Sequence, residues 1–456
     1  MRYITLVLAV FGGMMLGGLG LTYKVAQAEP ERTTYEELNL FMDIMTRVRQ
    51  DYVTEAKDKE LVEAAIQGML QSLDPHSSYM PASRFEDMQV QSSGKYGGLG
   101  LEVTFRNGAV KVVTPMDGTP AAKAGVEAGD FITGINGKSI LGESLNDAVD
   151  TMRGPPGSPI SITVVRKGVD EPIDFTIVRE IITIRSVTSR LEDDNIAYLR
   201  ISIFNENTGK LAKKAIVEMK KQAKTPLTGL VLDLRNNPGG LLNQSVEVSS
   251  LFLDGGEVVS TRGRDPRDIE RYNARAGDVL NGLPIVVIIN AGSASASEIV
   301  AGAIQDRERG TLIGMKSFGK GSVQTVIPLN GGRDGALRLT TARYYTPSGR
   351  SIQATGIEPD IEISHRRFEK PENRVTEADL PNALKNEIAE ARKAKKEEAV
   401  ENGEEVEETS DDDDDDEITA EMPPEDYPEK DDYQLKRAKE ILGKLVLTGA
   451  LVTDKG

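Results

Sequence analysis

Two short stretches of unbroken apolar sequence limit what this chain can fold into. Gly229-Leu-Val-Leu-Asp-Leu-Arg235 and Leu283-Pro-Ile-Val-Val-Ile-Ile-Asn290 suit central strands, which are buried on both faces. Such strands need helices packed above and below them. Residues 179–365, where apolar runs alternate with helical stretches, therefore read as an α/β unit. At 456 residues the chain is too long for one ordinary core, so further domains are expected around it.

The flanking sequence has a different texture. Residues 29–92 look helical: Glu36 to Val53 sets Leu38, Leu40, Phe41, Ile44, Met45 and Val48 on one face. A second helix, roughly Lys59–Leu73, should stop before Asp74-Pro75. From Gly94 short alternating strands with glycine turns take over, as in Leu101–Phe105, Val110–Val113 and Phe131–Ile135 followed by Asn136-Gly137. Helices are expected again over 380–400 and 433–447.

Composition narrows the chemistry. There is no cysteine, so no disulfide, thiol nucleophile or thiolate ligand is available. With two histidines, His76 and His365, a multi-histidine metal site is not expected, and no cofactor is implied. The net charge of −17 is local: residues 401–432 carry 18 acidic residues against Lys430 alone, and everything else sums to zero. A neutral body gives no support for nucleic-acid binding. The Asp411–Asp416 run reads as a solvated, disordered segment.

The first residues look like an export signal. Arg2 precedes an uncharged, mostly apolar run from Tyr3 to Tyr23, and Lys24 and Ala26-Gln27-Ala28 follow. Small residues in that pattern suit a signal peptidase, while the run is long enough to anchor in a membrane if left uncleaved. Export is expected either way.

Chemistry concentrates in two segments. Asn290-Ala-Gly-Ser-Ala-Ser-Ala-Ser-Glu298 runs from a buried strand into an amphipathic helix. Such a turn exposes a side chain and offers free backbone N–H groups to an oxyanion. Three serines compete: Ser293, Ser295 and Ser297. Ser295 alone has a glutamate three residues on, Glu298, but that is also capping-box spacing, and on this fragment alone a simple helix start is the better reading. Lys316-Ser-Phe-Gly-Lys320-Gly-Ser-Val-Gln324 sets a lysine between two glycines ahead of an alternating strand. Burial can depress a lysine enough to serve as a base for serine. Gly314-x4-Gly319-Lys320 falls short of a phosphate loop, since Gly321 stands where Ser or Thr is required and a strand follows.

The text from Pro120 to Gly137, with Asp130-Phe-Ile-Thr-Gly-Ile-Asn-Gly137 at its end, closely resembles a PDZ domain. The resemblance makes Gly98, Leu99, Gly100 and Leu101 the peptide-binding loop, with Asn146–Met152 beside the groove. Backbone N–H groups there could take a chain-terminal carboxylate while the edge strand takes the peptide.

The ordered segments Leu73–Tyr79, the PDZ text, Leu232–Gly240, Ser293–Glu298, Phe318–Gln324 and Tyr345–Gly349 together resemble the carboxyl-terminal processing peptidases over roughly residues 36–365. The resemblance implies an α/β catalytic core with an inserted β-rich PDZ domain and helical N- and C-terminal regions. It divides the chain into 1–28 (signal or anchor), 29–92 (helical), 93–178 (PDZ), 179–365 (catalytic) and 366–456 (helical, with the acidic linker). It also implies a serine endopeptidase acting on proteins with apolar C-terminal tails, with Ser295 as nucleophile and Lys320 as base. Gln324 would orient the lysine and Glu298 would support the site. The N–H groups of Gly240 and Ala296 would form the oxyanion hole. Arg153, after the groove helix, would sense a bound tail. A periplasmic location and a homo-oligomer or activating partner are expected. Two other readings stay open: a non-catalytic PDZ scaffold, and a Ser-His-Asp protease based on His76 or His365.

Overall fold

The computed structural model describes residues 33–106, 108–265, 267–365, 375–401, 420–424, 427–428 and 431–448. The 3–23 run, Ala26-Gln27-Ala28 and Asp411–Asp416 lie outside the described residues. Among the described residues no helix is long and apolar enough to cross a membrane.

The chain divides into two compact units, Met1–Ile66 and Gln67–Gly456. In the first, helix α1 (Thr34–Asp51) starts at a capping box in which Thr33 N–H donates to the Glu36 carboxylate at 2.7 Å. It buries none of its residues, and Leu38, Phe41, Met42 and Ile44 are exposed. Helix α2 (Asp58–Gln71) starts in the first unit and ends in the second.

The second unit continues with β1 (Ser78–Met80), α3 (Ala82–Ser93) and β2 (Lys95–Gly98). A β-rich body follows: β3 (Leu101–Arg106), β4 (Ala109–Pro115), α4 (Pro120–Ala124), β5 (Phe131–Ile135), β6 (Lys138–Ser139), α5 (Leu145–Met152), β7 (Pro159–Val165) and β8 (Ile173–Val178). Its antiparallel sheet runs β3-β4-β5-β7-β8, leaving β3 on an edge. Alternate residues point into one core, among them Val110 and Val112 on β4 and Ile160, Ile162 and Val164 on β7. The chain leaves through β9 (Glu180–Thr183), which pairs with β2.

The larger body contains β10 (Val187–Leu191), β11 (Ile196–Ile201), α6 (Thr208–Gln222), β12 (Gly229–Asp233), α7 (Leu242–Ser249), β13 (Glu257–Arg262), β14 (Ile269–Asn273), β15 (Ile285–Ile289), α8 (Ala296–Asp306), β16 (Thr311–Gly314), β17 (Ser322–Pro328), β18 (Ala336–Tyr345) and β19 (Ile361–Glu362). A 3-10 turn (Glu377–Asp379), α9 (Glu387–Glu401) and α10 (Tyr433–Thr448) complete it. The central sheet runs β10-β11-β12-β15-β16-β19 and is parallel from β11 onward. On β15, Ile285, Val287 and Ile289 pack into the core that holds α6, α7 and α8, while Val286 and Ile288 face Tyr433, Leu435, Ala438 and Leu442 of α10. Both faces are covered, which is why the strand is apolar throughout. A second sheet, β1-β18-β13-β14 with β17 on β18, lies beside this layer.

One sequence expectation shifts. The helix expected over 380–400 begins at Glu387, because the Asn386 side chain accepts from Ile388 N–H and Ala389 N–H and caps it there. The helix expected over 433–447 is α10, which covers one face of the central sheet, and Asp432 ahead of it binds Arg235 Nη2 at 2.6 Å.

Candidate active site

Three neighbouring parallel strands, β12, β15 and β16, deliver their C-terminal loops to one place, the usual position for a site on such a sheet. The loop after β15 carries the three serines, and their surroundings separate them. Ser293 Oγ donates to Leu234 O at 2.9 Å and Ser297 Oγ donates to Asn237 O at 2.9 Å, and both are fully buried. Those hydroxyls stitch the β15 loop to the β12 loop. Ser295 is 9% exposed and adopts φ 55°, ψ −112°, a conformation in which non-glycine residues are strained.

The β12 loop lies against this turn. Asn237 accepts Ala294 N–H on its carbonyl at 3.0 Å, while its side chain accepts Gly239 N–H at 2.9 Å. A Cβ on Gly239 would lie 2.9 Å from both Ala296 N and Ser295 Cβ, and one on Gly240 would lie 2.2 Å from Phe204 O. Glycine is required at both positions, which also have positive φ. Among the described residues, the N–H groups of Gly240 and Ala296 donate to no protein acceptor.

The β16 loop carries Lys320, and nearly every backbone polar group around it is held. Phe318 N–H donates to Ser293 O, Gly319 O accepts from Ala354 N–H, and Gly321 O accepts from Tyr344 N–H. Glu298, fully buried at the start of α8, joins the lysine loop to the serine turn. Its carboxylate accepts from Ser295 N–H at 2.7 Å, Ser317 Oγ at 2.6 Å, Gly319 N–H at 2.7 Å and Lys320 N–H at 3.0 Å. Burial pushes this carboxyl up to about 7 against the pull of those four donors.

Burial carries the half-buried Lys320 ammonium down to about 8; Arg338 adds to the fall, while Glu377, Glu298 and Asp74 oppose it. At that value the neutral amine is accessible near physiological pH. Among the described residues no hydrogen bond joins Lys320 Nζ to Ser295 Oγ. Burial pushes the Tyr344 phenol up to about 12, against a smaller pull downward from the Ser295 side chain. Gln324 Nε2 donates to Ser322 Oγ at 2.9 Å and Thr340 Oγ1 at 3.4 Å, and its Oε1 accepts from Arg338 at 3.4 Å. Its hydrogen bonds thus go to β17 and β18 neighbours, with none to Lys320 among the described residues.

Neither histidine contacts a serine of the turn among the described residues. His76 directs Nε2 at the Glu377 carboxylate, 2.9 and 2.8 Å from its two oxygens. The sequence leaves His76 open as a candidate base; its partner Glu377 is one of the charges acting on Lys320. Glu377, Gln353, Arg338 and Tyr344 went unnoticed in the sequence. No local spacing marks them, since His76 and Glu377 are 301 positions apart. Among the described residues no acidic or histidine cluster could hold a metal.

In the β-rich body, Leu99 is buried in the core and Gly100 takes φ 75°. Among the described residues the N–H groups of Leu99 and Gly100 have no protein acceptor, and Leu101 opens the edge strand β3. Arg153 ends α5; it pairs with Asp87 of α3, and its guanidinium lies 5.5 Å from the centre of the Tyr96 ring. Its Nε is buried without a hydrogen-bond partner.

A PDZ domain beside an α/β core whose strand-to-helix turn presents a strained serine defines a peptidase of the serine type. Family models match in three places: peptidase family S41 over residues 195–363, PDZ domain over 111–166, and the activating protease CtpB N-terminal domain over 20–83. The carboxy-terminal-processing protease of Bartonella bacilliformis is 57% identical over 341 residues, 75% of this chain and 78% of that one. The carboxy-terminal processing protease CtpA of Bacillus subtilis is 36% identical over 323 residues, 69% of this chain and 66% of that one. The solved photosystem II D1 C-terminal processing protease shares 32% identity, covering 73% of this chain and 87% of its own with a TM-score of 0.43. The chain belongs to peptidase family S41, among the carboxy-terminal processing proteases.

Proposed function

We propose that this peptidase hydrolyses protein substrates through an acyl-enzyme formed on Ser295, with Lys320 as the base. The observation that carries the reading is the Glu298 carboxylate, which accepts the backbone N–H of both residues and so fixes the serine turn against the lysine loop. Neutral Lys320 takes the proton of Ser295 Oγ as the oxygen attacks the scissile carbonyl carbon. The N–H groups of Gly240 and Ala296 stabilise the resulting oxyanion. The ammonium then returns the proton to the departing amine, and the C–N bond breaks. Water, deprotonated by the same lysine, attacks the ester, and Ser295 recovers its proton.

Substrates are proteins with exposed apolar C-terminal tails, taken by the Gly98–Leu101 loop with the tail added as a strand on β3. Arg153 is the candidate sensor of that tail, since its contacts with Asp87 and Tyr96 link the end of the groove helix to α3 and β2. The Arg2–Ala28 pattern supports export to the periplasm, as a soluble protein or held by residues 3–23. The exposed apolar side chains of α1, together with the N-terminal match to an activating protease, support a homo-oligomer or an activating partner.

The test is cleavage of an unstructured, apolar-tailed protein by the chain lacking residues 1–28 and by its Ser295→Ala and Lys320→Ala variants. Both variants should lose activity by about 10³-fold or more with folding intact. Cleavage surviving in Ser295→Ala would refute the assignment. Tail peptides bound but uncut by the wild-type chain would favour a scaffold.

A further inference from the structure

Glu377 lies beyond the α/β alternation, in the 366–456 stretch that the sequence reads as a helical region with an acidic linker, yet it is fully buried. Its N–H donates to Phe318 O at 3.0 Å, on the N-terminal side of Lys320. Its Oε1 accepts from Gln353 Nε2 at 3.0 Å, and Gln353 Oε1 in turn accepts from Gly321 N–H at 3.1 Å, on the other side of Lys320. The same glutamine donates to Leu384 O at 3.0 Å, and Asn386 Nδ2 donates to Gln353 O at 3.0 Å. Residues 377–386 therefore bracket the Phe318–Gly321 loop.

Four charged groups act on Lys320: Arg338 from β18, Glu298 from α8, Asp74 from the turn before β1, and Glu377. Glu298 is occupied by four donors and Asp74 by Ser77, Thr340 and the His76 N–H. Among the described residues the Glu377 carboxylate hydrogen-bonds to His76 and Gln353, and its charge opposes that of Arg338 in acting on Lys320.

We propose that Glu377 is a positioning residue for peptide hydrolysis, and that residues 377–386, seated on the Phe318–Gly321 loop, hold Lys320 in its working position. The proposal rests on the Ser295–Lys320 reading. Glu377 opposes the fall in the lysine's proton affinity caused by burial and by Arg338, so it makes the neutral amine a stronger base. Catalysis then depends on a segment contributed from outside the strand-and-helix core.

The experiment is competitive trace acetylation of Lys320 across pH, read by peptide mass spectrometry in the Ser295→Ala background, with and without Glu377→Gln. The midpoint should fall by roughly half a pH unit or more in Glu377→Gln, and the acid limb of kcat/KM in the active enzyme should move the same way. Glu377→Asp keeps the charge and should hold the midpoint close to wild type while kcat falls; a purely structural role would move both variants alike. An unchanged midpoint in folded Glu377→Gln overturns the proposal while leaving the dyad standing. Activity retained by Lys320→Ala overturns both. If the variants fail to fold, hydrogen exchange in the wild type decides: the amides of Glu377 and Gly321 should open as one unit, and independent opening overturns the seating.

Discussion

Ser295 keeps its backbone at φ 55° and ψ −112° because the β12 loop and the Glu298 carboxylate leave that turn little freedom. Strain of this kind costs roughly 1–3 kcal/mol, so Ser295→Gly should melt higher than Ser295→Ala in calorimetry, although both are inactive. Glu298→Gln replaces a carboxylate that accepts four donors with a group that must present N–H to some of them. A loss in kcat of about 10²-fold or more is expected, larger than any change in KM. Lys320 titrates at about 8 in the folded chain against 10.5 as an ordinary lysine. The base acts as the free amine, so kcat/KM should rise about tenfold per pH unit below 8 and level off above it. The unfolded chain holds that proton more tightly, so folding stability rises with pH between 8 and 10.5. Lys320→Met should therefore raise Tm at pH 6.5, with the gain fading toward pH 10.5. Ser295, Glu298 and the glycine pair stood out in the sequence because each lies in a short motif. Glu377 and Arg338 did not, because what brings them to Lys320 is tertiary packing, which leaves no periodic trace.

Among the elements, β12 and β15 were legible because burial on both faces forces continuous apolar sequence, and the PDZ strands because one covered face forces alternation. Helix starts were less so. The helix α9 begins seven residues later than the expected 380–400 span, since Asn386 caps it, and Asn382 ahead of it holds φ 58°. The loops between elements carry the chemistry, and Gly239 tests them. Gly239→Ala would drive a Cβ to within 2.9 Å of Ala296 N and Ser295 Cβ. It should reduce kcat by about 10²-fold or more while far-UV circular dichroism stays unchanged.

In the molecule as a whole, residues 431–448 belong to the catalytic body. Helix α10 covers Ile196, Tyr198, Val231, Val286, Ile288 and Ile313, and Asp432 binds the buried Arg235. Truncation before Asp432 should cost on the order of several kcal/mol, read as a drop in Tm or as insolubility. The sequence did not reveal this packing, because α10 needs apolar residues on one stripe only. The central claim is that Ser295 carries the acyl group and Lys320 enables it. The most direct measurement is trapping the acyl-enzyme by rapid acid quench during turnover of an apolar-tailed peptide ester, then mapping the adduct by tandem mass spectrometry. A single adduct on Ser295, absent in Lys320→Ala, is the expected result. An adduct on Ser293 or Ser297, or an adduct on Ser295 that forms at the wild-type rate in Lys320→Ala, would contradict the account.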